Sequence, residues 1–117
     1  MRKLYKLVGH VTPNARVCFE YDGLGYLSKV VLVSYHSIIL ECDTMQGPDV
    51  WIKVVTPVNY SATTARHVNW FTTNFFGKNL YHELKITPVN VFLPLNNKAV
   101  CMMDTVNYYN NHAKKFY

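Results

Sequence analysis

The chain has 117 residues, half of them hydrophobic, 15% aromatic and only 16% charged, a balance that excludes a disordered or low-complexity polypeptide and predicts one domain around one core. Twelve Lys and Arg against seven Asp and Glu leave a net charge of +5, which permits an acidic partner without specifying one. No apolar run reaches the ~18–20 residues that span a bilayer, and "MRKLYKLVGHV" breaks at Gly9 and His10 before a secretory stretch develops, so an intracellular protein off the membrane is expected.

In chain order, "LYKLVGHV" and "ARVCFEYD" are short β-prone runs separated by "TPN", and "DGLG" at Asp22 to Gly25 supplies glycines for a tight connection. An antiparallel meander is the natural opening. "KVVLVSYHSIILEC", Lys29 to Cys42, is the longest β-rich run and apolar on both sides, which predicts a central position, with a bend or hairpin at Ser34 to Ser37. "DTMQGPD" reads as a loop and "VWIKVVTP" as another strand.

The period changes at Asn59. Ser61 is placed to cap a helix, Ala65, Val68, Phe71, Thr72 and Phe75 fall on one side of it, and Gly77 stands where a C-terminal cap belongs. Beyond Gly77, "LYHELKI" and "VNVFLPL" read as strands, and Asn96 and Asn97 suit a hairpin turn before "KAVCMM", because Asn tolerates positive φ. From Asp104, a candidate cap, the spacing of Val106, Tyr109, Ala113 and Phe116 predicts a short C-terminal helix with Lys114 and Lys115 at its negative end. The expected fold is therefore α+β, a mainly antiparallel sheet packed against one central helix, in a single domain over residues 1–117.

Cys18, Cys42 and Cys101 are an odd number at irregular spacing without a CxxC pair, so buried thiols are expected, not disulfides or zinc. His10, His36, His67, His82 and His112 include no pair at i and i+4, and "YHEL" is not HExxH. There is no GxSxG, P-loop or GxGxxG. Glu41 and Asp43 share a side if strand-like, although Asp49 nearby favours a solvated acidic loop. No catalytic residue, metal or cofactor is expected.

Arg66 and Trp70, four apart on one helix face with Thr63, Thr73 and Asn74 beside them, are the candidate binding residues. An aromatic ring beside a guanidinium is enriched at protein interfaces and also serves to stack and neutralise nucleic acid. The alternative is that the C-terminal third covers this face and makes Trp70 a second core contact. Tyr60, Thr64 and His67 form a second candidate, a polar cluster where the chain enters the helix.

"VLVSYHSIILEC" followed by "VNYSATTARHVNWF" resembles a family of small uncharacterised bacteriophage proteins whose pattern is roughly Ser-Tyr-x-Thr-x-Ile, then Tyr-Ser-x-Thr-Thr-x-x-His-x-x-x-Phe. Ser34, Tyr35, Ser37 in place of Thr, and Ile39 carry the first half; Tyr60, Ser61, Thr63, Thr64, His67 and Phe71 carry the more specific second half. The resemblance implies a phage origin and the host bacterial cytoplasm, with no established activity. Small size, absent catalytic motifs and the Arg66 and Trp70 face lead to the expectation of a non-catalytic protein that binds and modulates or inhibits a host protein, such as a defence or transcription component. Nucleic-acid binding driven by the +5 charge is the alternative. A small nuclease or nucleotide-modifying enzyme using His67 with distant carboxylates ranks last, and homo-oligomerisation is compatible with each.

Overall fold

The computed structural model describes residues 1–7 and 14–113. Expectations resting on Gly9, His10, Lys114, Lys115 and Phe116 lie outside the described residues. Six strands, β1 (Arg2–Lys6), β2 (Ala15–Tyr21), β3 (Leu27–Ser34), β4 (Ser37–Gln46), β5 (Asp49–Val54) and β6 (Phe92–Leu95), form one antiparallel sheet in sequence order. Among the described residues three helices, α1 (Ala62–Phe76), α2 (Tyr81–Lys85) and α3 (Ala99–His112), complete the α+β architecture.

Each tight connection has its local cause. At the β2–β3 turn the Asp22 carboxylate accepts from the amides of Leu24 and Tyr26, and Gly25 takes φ 86, where a side chain would be strained. The segment expected as an acidic loop is strand almost throughout, because β4 runs to Gln46 and Gly47 and Pro48 alone turn the chain. Glu41 and Asp43 thus lie on a strand, and Glu41 sits 3.6 Å from Lys29 Nζ and 3.3 Å from Lys53 Nζ on the neighbouring strands.

One face of the sheet carries the core. Val17, Phe19, Val30, Leu32, Leu40, Cys42, Ile52 and Val54 are buried there against Val68, Phe71, Phe75 and Phe76 of α1. Complete burial of each such side chain contributes about 1.5–3 kcal/mol. Ser61 caps α1 by accepting the Thr64 amide at 3.0 Å, and Gly77 ends it at φ 71 with its amide on the Thr73 carbonyl.

Two readings of the C-terminal third are corrected. "LYHELKI" is not a strand: Tyr81–Lys85 is helical, started by Asn79 Oδ1 accepting the Tyr81 amide, with Leu80 and Leu84 buried one turn apart. "KAVCMM" is likewise the first half of α3, which begins at Ala99 instead of Asp104. Asn97 does take positive φ, 60°, yet its amide is held by the Asp49 carboxylate and the turn leads into a helix that buries Met102, Val106 and Tyr109. No helix among the described residues is long and apolar enough to cross a membrane.

Candidate functional site

The hairpin between β3 and β4 is irregular. Leu32 faces Leu40 but Val33 faces Ile38, so Ile39 is an extra residue, a bulge that turns both Ile39 and Leu40 inward. The Ile39 carbonyl, displaced from the β3 ladder, accepts the amides of Val55 at 2.8 Å and Thr56 at 3.3 Å, and Thr56 Oγ1 donates to the Ile38 carbonyl. These bonds lead the chain from β5 toward the start of α1 beside the hairpin tip. At that tip Tyr35 takes φ 55, a conformation that costs an L-residue roughly 1–2 kcal/mol. It is held from the start of β2 and the residue before it: its amide donates to the Asn14 carbonyl at 2.8 Å, and the Arg16 guanidinium donates to its carbonyl.

Between this tip and α1 lies a cleft of about 240 Å³. Ser34, Tyr35 and Ser37 line it from the hairpin, Ile39 from the bulge, and Tyr60, Ser61 and Thr64 from the helix entry. Behind it the Ser34 hydroxyl shares a 2.7 Å hydrogen bond with His67 Nδ1, and these two residues are 2% and 0% exposed. The bond gives the buried Ser34 hydroxyl and one of the two imidazole nitrogens a partner, which offsets part of the cost of burying them. The Tyr35 ring lies 6.1 Å from the imidazole.

Of Tyr60, Thr64 and His67, grouped from sequence as a polar cluster, Tyr60 and Thr64 line this cleft, whereas His67 is buried behind it on Ser34. The two halves of the sequence pattern, 34–39 and 60–71, meet on opposite walls of one cleft. Ser34, Tyr35 and Ser37 were not among the sequence-derived site residues. Their signal was a polar insertion within the strongest β run, which reads equally as an ordinary turn.

The second candidate surface is the outer side of α1. Trp70 is 44% exposed and, with Asn69 and Thr73, lines a shallow depression of about 250 Å³. Arg66 and Thr73 are exposed, and Arg66 donates to Thr63 Oγ1 at 3.2 Å. Asn74 is half-buried, its side-chain amide donating to the Trp70 carbonyl at 2.6 Å while its own carbonyl accepts from Thr105 on α3. The C-terminal third thus reaches α1 at Asn74, one turn past Trp70.

Cys18 and Cys42 are buried, Cys101 is partly so, and all three are free thiols. Burial and, secondarily, the Glu41 charge push the Cys42 thiol far above its ordinary pKa. Among the described residues no three His, Cys, Asp or Glu side chains gather as a metal site.

Residues 1–86 match the model of the family of unknown function DUF8033, and the chain belongs to that family. No curated protein and no solved structure matches it.

Proposed function

We propose, with that family membership as the premise, that this is a non-catalytic binding protein engaging a protein partner through the outer side of α1. Trp70 carries the reading: a large ring left 44% exposed on a helix whose other side is fully committed to the core, with Arg66 one turn away. Trp and Arg are the residues that most often dominate binding energy at interfaces. Thr63 and Thr73 supply the polar rim such a contact uses. The resemblance to bacteriophage proteins supplies the rest of the proposal, a bacterial host protein as the partner, modulated or inhibited in the host cytoplasm.

The competing readings draw less from the geometry. Lys29 and Lys53 are engaged with Glu41, and Lys78 with Glu83, so at these three lysines the positive charge is locally compensated. The cleft against His67 is lined by hydroxyls and Ile39, with no carboxylate for hydrolytic chemistry among the described lining residues. Replacing Arg66 and Trp70 together by Ala is expected to abolish partner capture from a nuclease-treated bacterial lysate while moving the melting temperature little. Undiminished capture by the double variant would reject this surface. Light scattering of the purified protein separates a second copy of the chain from a foreign partner.

A further inference from the structure

We propose that the cleft between the β3–β4 hairpin and α1 is a pocket for a single nucleobase, presented by a free nucleoside or by an unpaired nucleotide of a single strand. The inference goes beyond the protein-binding reading and uses different side chains.

Size sets the first limit. At about 240 Å³ the cleft falls below the ~300–1,000 Å³ of pockets for drug-sized ligands, which selects a ligand of one or two rings. Chemistry sets the second. Every polar side chain lining it is a hydroxyl, from Ser34, Ser37, Ser61, Thr64 and the two tyrosines. Ser34 is bonded to His67 and Ser61 to Thr64, so the hydroxyls of Ser37 and the two tyrosines are the ones that turn to a ligand. A hydroxyl both donates and accepts, which matches a ligand edge that mixes donors and acceptors, as base edges do. A small metal cation would instead call for carboxylates in the lining, and none is among the described lining residues. A wholly apolar ligand would strip water from the Ser37 and tyrosine hydroxyls and return no hydrogen bonds.

The rim supplies what a base needs besides an edge. Tyr35 and Tyr60 are 47% and 75% exposed, leaving aromatic surface at the mouth on which a flat ring can stack. The walls are also built to hold position. Tyr35 is kept at positive φ by Asn14 and Arg16, the Ile39 bulge is tied to the chain after β5, and Ser34 is fixed by the buried His67 ring. Unfavourable backbone conformations and bulges persist where surrounding structure enforces them, and they concentrate at binding sites.

The test is a chemical-shift titration of the full chain with each common nucleoside in turn, with a short single-stranded oligothymidylate, and with glucose. Saturable shifts centred on Ser34, Tyr35, Ser37, Tyr60, Ser61 and Thr64 are expected from at least one nucleoside or from the oligonucleotide. Binding by the nucleoside alone identifies a free ligand, and binding by the oligonucleotide alone a single strand; each supports the pocket. Tyr60→Ala, a change at an exposed ring that spares the core, should weaken that binding by roughly tenfold, the loss expected for one stacking partner. The Arg66→Ala, Trp70→Ala double variant should bind as the wild type does, which keeps this inference separable from the protein-binding proposal. Silence at these residues with every nucleoside and the oligonucleotide would overturn it. So would shifts caused by glucose but by no nucleoside, or oligonucleotide binding that Tyr60→Ala leaves intact.

Discussion

Ser34 and His67 show how one residue pair ties strand to helix. Removing the Ser34 hydroxyl leaves His67 Nδ1 buried without that bond, a loss worth about 1–3 kcal/mol. Ser34→Ala should therefore lower the urea midpoint with little change in the slope of the transition, and an unchanged midpoint would contradict the importance of the bond. The thiols give a second residue-scale prediction. Cys101 should react with a thiol reagent in the native protein while Cys18 and Cys42 react only on unfolding, and burial at Cys42 keeps its thiol protonated. The sign for stability follows. Above about pH 8.5 an unfolded thiol ionises while the folded Cys42 keeps its proton, so this group's contribution is intact below that pH and lost as pH rises, by up to ~1.4 kcal/mol per pH unit. At this scale the sequence placed Tyr60 and Thr64 together because they share one helix entry, whereas His67 turns to Ser34 behind them. The sequence did not show Ser34 opposite them, since the pairing spans 33 residues and depends on a bulge that no local periodicity reveals.

Among the elements, α1 was the most legible, because its caps and its apolar side are local features. Ser61 and Gly77 stand where expected and behave as caps. Ser61→Ala should cost about 1 kcal/mol in thermal or chemical unfolding through the lost cap, and it also alters the cleft wall, so stability and nucleoside binding should fall together. The misread elements fail for a physical reason as well. "LYHELKI" alternates well enough for a strand, but the contact that decides its structure is Leu80 and Leu84 entering the core one turn apart, with the Leu80 amide donating to Thr72 Oγ1. In "KAVCMM" the helix-favouring Ala and Met outweigh the Asn-Asn hairpin signal. Met102, Val106 and Tyr109 continue the same helical spacing, so its start was readable five residues before Asp104.

Across the whole molecule the core joins the first strands to the last helix. Tyr109 lies 5.3 Å from Phe75, 5.8 Å from Phe19 and 5.9 Å from Tyr5, while Tyr5 Oη donates to Asn110 Oδ1 at 2.5 Å and Asn110 Nδ2 donates to Tyr21 Oη at 3.0 Å. The family match ends at residue 86, before β6 and α3, yet α3 places Met102, Val106 and Tyr109 in the same core. Tyr109→Ala should accordingly destabilise by about 3–5 kcal/mol, the range for deleting a buried aromatic, and a single unfolding transition should shift as one. A separate transition for α3 would contradict a shared core. This packing leaves the outer side of α1 as the surface on which the binding account rests. Its most direct test uses Trp70 as a reporter in a Trp51→Phe variant, followed by fluorescence as a protein captured from the lysate is added. The account predicts that Trp70 emission shifts to the blue and loses its access to acrylamide as the complex saturates. Unchanged Trp70 emission and quenching in a fully formed complex would contradict it.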